Sequence, residues 1–485
     1  MSENQYAISY WPDTAEVLAS LDRLISQPMR LIRREKMAEY LDYYTEKCAG
    51  SKKLNDRAKK LIPGGVQHNL AFNYPFPLAV NKADGAFLWD VDGNRYVDFL
   101  QAGGPTLLGS NYKPVQEKVI ELIKDCGPVI GLFHEYELKL AELINRLMPA
   151  VEWFRMLGSG TEGVLAAIRA ARTFSGKAKV IKVGGAYHGW SDQMIFGLHV
   201  PGTGPMEAHG IPEGCYKETQ EFFPNDLQQL RSLLENNQKA GGTAAVILEP
   251  LGPESGTRPV TRDFNQKVRE LCDEFGALLI FDEVVTAFRV GLGGAQGYFG
   301  VKPDLTVFGK CVAGGYPAAG GLGGRADVMA CLAAGLEAGK TRAYVGGTLS
   351  ANPLSCAAGY YSILEIEKTN AHVKAGQAGD KLTAGIRNII TKNNLPFVVF
   401  NHGSICHLET SAVMLLDIRK NPKQAIVEAK PRKHMMEEMG AAFMAEGIIT
   451  LAGSRLYTSM ADTDNVIAEA LSAFDRVFQN IEPAA

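Results

Sequence analysis

The stretch LLIFDEVVTAFRV, residues 278 to 290, contains the pattern that decides the fold. Four apolar residues, Leu278 to Phe281, predict a buried strand, and two acids, Asp282 and Glu283, follow it directly. A carboxylate at the end of a buried strand has lost most of its water, so leaving it unpaired is costly. We therefore expect a cationic group to meet this strand end.

Similar apolar runs alternate with helical stretches such as TEGVLAAIRAARTF through the middle of the chain. The runs are WFRML (153 to 157), KVIKV (179 to 183), AAVILEP (244 to 250), ALLIFDE (277 to 283) and LTVFGK (305 to 310). This alternation predicts an α/β fold whose mostly parallel sheet is buried on both faces by crossover helices. In such a sheet, ligands bind beyond the carboxyl ends of the strands.

The length of 485 residues predicts two or three packed units. Residues 1 to 105 are predicted to form an N-terminal helical segment followed by a hairpin around Asp92 and Gly93. Residues 106 to 367 are predicted to form the large α/β domain, and residues 368 to 485 a smaller α+β domain.

Composition narrows the class of partner. With 50 basic and 53 acidic residues the net charge is −3, so no basic field for nucleic acid is present. The eight cysteines are scattered without a C-x-x-C pair, which favours free thiols in a reducing compartment over disulfides or a metal site. No apolar run of about 18 residues predicts a membrane span. We expect a cytoplasmic protein that binds small molecules and other protein chains.

The loop GSGTEG, residues 158 to 163, follows a predicted strand and opens a helix, and it allows two interpretations. A dinucleotide site needs an acid at the end of the next strand, where this chain has Lys182. A single phosphate needs only the backbone amides of Gly160 and Thr161, with a hydroxyl from Ser159 or Thr161, at a helix N-terminus. A plain capping turn is the third possibility.

Lys310 ends another buried strand and is followed by glycines. It is either a surface lysine or a desolvated amine kept for Schiff-base chemistry. A phosphate cradle, a strand-end acid and a strand-end lysine together match what pyridoxal phosphate requires, namely an anion site, a carboxylate for the ring nitrogen and an amine for the aldehyde. Asp282 is therefore predicted to pair with the ring nitrogen of that cofactor.

Several longer motifs carry a family resemblance. They are GSGTE, AYHGWSD (186 to 192), LEP (248 to 250), FDEVVTAFRVGLGGAQGYFGVKPDLTVFGK (281 to 310), GGLGGR (320 to 325) and GGTLSANPLSCAAG (346 to 359). Over roughly residues 58 to 475 the chain resembles the class III aminotransferases of the fold type I pyridoxal-phosphate enzymes. The pattern is most similar to glutamate-1-semialdehyde aminomutase and to β-amino-acid aminotransferases.

The resemblance implies a role for each matching residue. Lys310 would hold the cofactor as a Schiff base and move the proton at Cα, while Asp282 would hold the ring nitrogen. Tyr187 and Val284 would pack on the two faces of the ring. Thr348 would reach the phosphate bound by a neighbouring subunit, which implies a homodimer with shared active sites.

The substrate side departs from the family. The segment PGGVQHNLAFNYPFPLAVNKADG (63 to 85) contains no arginine where the family places the one that binds a substrate carboxylate. The candidate substrate contacts are therefore His68, with Gln67 and Asn69 beside it, Gly104, and Glu254, which could also meet the ring oxygen. The identity of the substrate does not follow from these residues.

The function predicted from the sequence is a pyridoxal-phosphate-dependent aminotransferase that moves an amino group from an amino acid, which could be a β-amino acid, or an amine to a 2-oxo acid or aldehyde. One alternative is an intramolecular aminomutase, which needs no added oxo acid. A nicotinamide-dependent dehydrogenase built on GSGTEG is a second alternative, and a binding protein that has kept the fold without turnover is a third.

Overall fold

The computed structural model describes residues 5–335, 341–419 and 422–483. The strands are β1 (Val80–Asp84), β2 (Phe87–Asp90), β3 (Arg95–Asp98), β4 (Trp153–Leu157), β5 (Lys179–Val183), β6 (Thr219–Phe222), β7 (Thr243–Leu248), β8 (Leu278–Asp282), β9 (Leu305–Gly309), β10 (Gly320–Gly324), β11 (Val398–His402), β12 (Ile405–Glu409), β13 (Ile448–Ile449) and β14 (Arg455–Tyr457).

The helices are α1 (Thr14–Ser26), α2 (Arg34–Lys47), α3 (Ala49–Ala58), α4 (Lys113–Cys126), α5 (Glu135–Leu147), α6 (Gly160–Ser175), α7 (Glu213–Tyr216), α8 (Leu227–Gln238), α9 (Pro253–Gly256), α10 (Phe264–Phe275), α11 (Gly294–Phe299), α12 (Ala326–Met329), α13 (Pro353–Thr369), α14 (Ala371–Lys392), α15 (Pro422–Ala445) and α16 (Asp464–Phe478). In the described ranges, no helix combines the length and the apolar character that crossing a membrane requires.

Contacts divide the chain into two compact units. The first consists mainly of Lys113–Asn370, together with the residues up to Tyr6 and Asp417–Pro422. The second unit consists of Ala7–Tyr112, Ala371–Leu416 and Lys423–Ala485. The division into three consecutive domains at residues 105 and 367 stays a prediction.

The first unit is built on a sheet with the strand order β4-β10-β9-β8-β7-β5-β6. Strand β10 runs antiparallel to both β4 and β9. The remaining neighbours in this order, from β9 to β6, are parallel to one another. The sequence prediction of a mostly parallel sheet is confirmed, and β4 and β5 have the predicted bounds.

Alternation along the strands explains why both faces of this sheet are covered. Leu278 and Ile280 of β8 belong to an apolar cluster that includes α6 residues such as Ile168. Leu279 and Phe281, which point the other way, pack in a second cluster with residues of α8 and α10. Because both sets of side chains are buried, the strand is apolar throughout and not alternating.

Strand β10, GGLGG, brings backbone unusually close to backbone. A Cβ on Gly163 of α6 would lie 2.7 Å from the carbonyl oxygen of Gly321. A Cβ on Gly320 would collide with the backbone of Ser159. At these two points helix α6 and the loop before it therefore rest directly on the backbone of the strand.

The second unit contains two smaller sheets, with the orders β1-β2-β3-β13 and β11-β12-β14. Strands β2 and β3 form the predicted hairpin around Asp92 and Gly93. The predicted helical lead-in is present as α1, α2 and α3, and α1 ends at Ser26, next to the predicted break at Gln27.

Candidate active site

The carboxyl ends of the parallel strands converge at one edge of the sheet in the first unit. Gly309, at the end of β9, is paired with Gly320, which is paired in turn with Leu157 at the end of β4. Asp282, at the end of β8, is paired with Val307 of β9. The chain then continues from these strands into Lys310, the GSGTEG loop and Glu283, so the predicted acid, lysine and phosphate loop follow neighbouring strand ends.

Asp282 is buried and hydrogen-bonded to His188. Its Oδ2 lies 2.7 Å from His188 Nδ1, and its Oδ1 accepts a hydrogen bond from the amide of Val284. Burial lowers the pKa of His188, and the hydrogen bond and charge of Asp282 act in the opposite direction without overcoming it. A neutral ring with its proton on Nδ1 donates to Asp282 and orients that side chain.

Glu283, the other acid of the stretch 278 to 290, is held by hydrogen bonds to its neighbours in the fold. It accepts hydrogen bonds from the amides of Ala295 and Gln296 at the start of α11, and from the side chains of Gln296 and Thr286. These donors are 2.6 to 3.1 Å from its oxygens. Glu283 therefore holds α11 onto the sheet, and Asp282 is the acid that remains for chemistry.

The GSGTEG loop forms the N-terminus of α6. Ser159 caps the helix, because its hydroxyl accepts a hydrogen bond from the amide of Glu162 at 3.2 Å. The first amides of a helix have no acceptor within it, so those of Gly160 and Thr161 point outward at the positive end of the helix dipole. The loop can hold a phosphate without any further side chain.

Val284 lies between the phosphate loop and the strand that precedes Lys310. A Cβ on Gly160 would lie 2.8 Å from Val284 Cγ2, and a Cβ on Gly309 would lie 2.7 Å from Val284 Cγ1. These two glycines leave space that only a bare backbone can occupy. The valine is thereby fixed beside the residues that are predicted to hold the cofactor.

Lys310 begins a short 3-10 turn immediately after β9 and is half-buried. Its φ of 46° lies in the left-handed region, which costs a residue with a side chain. Such strained positions are found at sites where the surrounding structure fixes a functional group.

Tyr187 is 46% exposed. The loop that carries it is held by Glu249, a buried acid that was not predicted from the sequence. The amide of Tyr187 donates to Glu249 Oε1 at 3.0 Å. Its ring is parallel to that of His199, with centroids 6.5 Å apart. His199 Nδ1 lies 2.7 Å from Glu254 Oε1. Only the motif LEP could have pointed to Glu249, because the other contacts join distant parts of the chain.

Glu254, which was predicted to contact the ring oxygen or the substrate, is hydrogen-bonded to His199. Burial disfavours the charged form of His199, but the hydrogen bond with Glu254 and the charges of Glu254 and Glu207 outweigh it and raise the pKa of His199. The two side chains therefore form an ion pair beside Tyr187. A role of Glu254 toward the ring oxygen stays a prediction.

The remaining predicted contacts are distributed over both units. Thr348 is exposed in the first unit, next to Gly347, where a Cβ would lie 3.4 Å from Glu162 Oε2. His68 and Gly104 belong to the second unit. His68 Nδ1 accepts a hydrogen bond from the amide of Leu70, and Gly104, with a φ of 113°, packs against the ring of Tyr457. Their contact with a substrate stays a prediction.

The residues at the strand ends fit pyridoxal phosphate. A buried carboxylate held by His188 suits a protonated ring nitrogen, and the outward amides of α6 suit a phosphate. The side chain of Val284 fills the space beside Gly160 and Gly309, in position to meet a flat ring. In the described residues, no group of three or more histidine, cysteine, aspartate or glutamate side chains is arranged to hold a metal ion.

Comparison with solved structures gives the class of protein. The chain is 27% identical to an omega-transaminase from Sphaerobacter thermophilus, with a TM-score of 0.78 over 90% of this chain and 99% of that one. It is 27% identical to a beta-phenylalanine aminotransferase from Variovorax paradoxus, with a TM-score of 0.77 over 91% and 96%. A glutamate-1-semialdehyde aminomutase from Pseudomonas aeruginosa, at 23% identity and a TM-score of 0.78 over 96% and 99%, shares the fold. The protein is a fold type I pyridoxal-phosphate enzyme.

The family follows from the sequence match. Residues 71–478 match the family described as aminotransferase class-III, so the chain belongs to the class III aminotransferases. The resemblance identified from the motifs is confirmed, as are the fold class, the cofactor pyridoxal phosphate and transamination as the reaction. The nicotinamide-dependent alternative is set aside by this membership.

Proposed function

We propose that the strand-end residues of the first unit carry the transamination of an amino acid or amine donor. The observation that carries this proposal is the placement of Asp282 and Lys310 after neighbouring parallel strands, with the Asp282 carboxylate buried and held by His188. Bound pyridoxal phosphate supplies an electron sink for the charge that develops when the donor loses its Cα proton. The side chains around it bind, orient and move that proton.

Each residue has a defined task. The carboxylate of Asp282 would keep a proton on the ring nitrogen, and the Lys310 amine would hold the cofactor through its aldehyde. Once free, the same amine would accept the proton that the donor loses from Cα. Val284 and Tyr187 would pack on the two faces of the ring. The Ser159 hydroxyl and the amides of Gly160 and Thr161 would bind the phosphate.

The donor and acceptor classes rest on the relatives. A donor that is a β-amino acid or an amine is supported by the likeness to a beta-phenylalanine aminotransferase and an omega-transaminase. The acceptor is then a 2-oxo acid or an aldehyde. The absence of arginine from residues 63 to 85 favours a donor that does not depend on a bidentate carboxylate grip there.

The visible spectrum of the purified protein tests these roles. Loaded with pyridoxal phosphate, the wild type should show the band of a lysine-bound aldehyde, and Lys310→Ala should lack it. Adding β-amino acids, α-amino acids or amines without an acceptor should bleach the band and release one equivalent of oxo product. Repeated turnover of one substrate without an acceptor would instead identify an aminomutase. A normal band in Lys310→Ala would remove Lys310 from the site.

We further propose a cytoplasmic homodimer in which Thr348 completes the phosphate site of the partner subunit. The exposed position of Thr348 and the role that the family resemblance implies for it support this arrangement. Thr348→Ala and Lys310→Ala should each be impaired alone. In a hybrid of the two, one site combines an intact Lys310 with an intact Thr348, so co-expression should recover activity above the sum of the two variants. No recovery in hybrids of proven composition would contradict shared sites.

A further inference from the structure

Glu249 is a buried acid at the end of β7 to which the proposed function gives no task. It is 6% exposed. Its Oε1 accepts hydrogen bonds from the amides of Tyr187 at 3.0 Å and Glu254 at 2.7 Å. Its Oε2 accepts from the amide of Ser255 and from the Ser255 hydroxyl. Glu249 therefore joins two separate loops through four donors.

The loop that carries Tyr187 is held from the next peptide as well. Lys182, at the end of β5, is fully buried, and its Nζ donates to the carbonyl oxygens of Ala186 at 3.0 Å and Met194 at 3.1 Å. The Ala186 carbonyl and the Tyr187 amide belong to the same peptide group. A buried cation thus holds its oxygen and a buried anion holds its nitrogen, which fixes the orientation of that peptide.

The second loop held by Glu249 is strained. Glu254 and Ser255 have φ angles of 50° and 54°, in the left-handed region that side chains rarely adopt. Consecutive residues of this kind persist only when their surroundings hold them. The side chain of Glu254 then meets His199, whose ring is parallel to that of Tyr187. Glu249 accordingly controls Tyr187 through its backbone and through the residue pair beside its ring.

We propose that Glu249 is a positioning residue, whose ionised carboxylate sets the orientation of Tyr187 and thereby the affinity of the protein for pyridoxal phosphate. This inference rests on the proposed role of Tyr187 at the face of the cofactor. Glu249 acts through Tyr187 and the Glu254 turn, so its effect must disappear when the tyrosine ring is removed.

The acid is poised to titrate in the neutral range. Burial raises the pKa of Glu249 to about 7, the charges of Asp282 and Glu254 add to this, and the amides of Ser255 and Glu254 oppose it. The groups that face it are Asp282 with its partner His188, Glu254 with its partner His199, Tyr187, and Lys182, whose pKa burial lowers to about 8. Protonation gives one oxygen a proton to donate, so at least one of the four present hydrogen bonds is lost or reversed.

Glu249→Gln reproduces this loss permanently, because its amide nitrogen must face a donor. At about pH 8 we expect the variant to bind pyridoxal phosphate about 10- to 100-fold more weakly than wild type, as for a lost hydrogen bond to a charged group. At about pH 6, where wild-type Glu249 is protonated, the ratio of the two dissociation constants should approach one. Titration of the cofactor itself affects both proteins and cancels in this ratio.

Asp304→Asn is the matched control. Asp304 is equally buried and accepts a backbone amide, that of Leu279 at 2.7 Å, but it precedes β9 at the opposite edge of the sheet from Lys310. Its replacement should lower stability and leave the affinity and its pH dependence as in wild type. A parallel change in both variants would mean that Glu249 merely supports the fold, which overturns the proposal.

A double-mutant cycle separates the inference from the function on which it rests. Tyr187→Ala should weaken cofactor binding, and adding Glu249→Gln to it should have little further effect. If Tyr187→Ala binds normally, the proposed role of Tyr187 fails; if it binds weakly but Glu249→Gln binds normally, only the inference fails.

Should Glu249→Gln not fold, amide exchange of Tyr187 in the wild-type protein decides instead. Exchange must be faster at about pH 6 than at about pH 8 after correction for intrinsic rates, and equal protection would overturn the proposal.

Discussion

Asp282 and Glu283 are adjacent in sequence and both are buried, yet their hydrogen bonds assign them different tasks. The oxygens of Glu283 accept from backbone amides and side chains at the start of α11. Asp282 is held by the ring of His188, which orients the carboxylate. Four donors fill the acceptor sites of Glu283, whereas Asp282, whose partners are the His188 ring and the Val284 amide, keeps acceptor capacity for a ligand.

Gly160→Ala tests the packing of Val284 at this scale. The new Cβ would lie 2.8 Å from Val284 Cγ2, so we expect a loss of about 1 to 3 kcal/mol in the free energy of unfolding and weaker binding of pyridoxal phosphate. Urea unfolding and a cofactor titration measure the two effects. Adding Val284→Ala frees the space and should restore much of the stability; no rescue would show that the alanine acts through something other than this contact.

The sequence pattern predicts some of these residues and not others, for a physical reason. Lys310 and Asp282 follow apolar runs directly, and a charge at the end of a buried strand is visible in one dimension. The contacts of Glu249 with Tyr187 and of His199 with Glu254 form only when residues dozens of positions apart are brought together. Their partners depend on how the loops between strands fold, for which the chain has no periodic pattern.

At the scale of elements, propensity separates the strands that could be predicted from those that could not. The apolar runs of β4 and β5 predicted both strands to the residue. Strand β6, TQEF, lacks such a run, and β10 consists largely of glycine, which is unfavourable in strands. Strand β10 forms because bare backbone fits between β4, β9 and α6, and this tertiary reason is invisible to local propensity.

Ser159→Ala tests the double task of the cap of α6. The hydroxyl accepts the amide of Glu162, so its loss should lower stability by about 1 kcal/mol, and cofactor affinity should fall as well if the hydroxyl also meets the phosphate. Asp226→Ala removes the corresponding cap of α8, where the side chain accepts the amide of Gln229. This control should match the loss of stability in thermal unfolding and leave affinity unchanged. Equal affinities in the two variants would confine Ser159 to capping.

At the scale of the whole molecule, the first unit was the easier one to predict. Its strands and helices follow one another as buried runs and amphipathic stretches. The second unit is assembled from three separate parts of the chain, and β13 pairs with β3 across some 350 positions of sequence. Nothing local in Ile448 and Ile449 indicates that pairing, so the sequence pattern divided the chain into consecutive segments.

Asp98 of the second unit predicts how stability depends on pH. Burial raises the pKa of Asp98 to about 6, against the opposing effect of hydrogen bonds from the amides of Gln101 and Leu100. A raised pKa means that the folded protein binds this proton more tightly than the unfolded chain. The free energy of unfolding that the protonated Asp98 contributes is therefore fully present below about pH 4 and is lost as the pH rises through about 6.

Asp98→Asn removes this dependence. The asparagine oxygen can still accept the two amides that Asp98 Oδ1 accepts, without a charge to bury. We expect the variant to exceed wild type by about 3 kcal/mol in the free energy of unfolding at about pH 8, and to match it at about pH 4. Urea midpoints across this range measure the difference. The exposed Asp84 provides the control, since Asp84→Asn should track wild type throughout; a constant offset for Asp98→Asn would refute the linkage.

The direct contact of α6 with strand β10 also affects how the cofactor binds, because it determines whether the site must rearrange first. Side chains can change rotamer and let neighbouring elements drift, whereas peptide groups in contact cannot. The start of α6, which we propose as the phosphate site, is thus shaped before the cofactor binds, and it has little conformational entropy left to lose on binding. Capture should then be limited by encounter and by the chemistry at Lys310, with no slow rearrangement of the cradle beforehand.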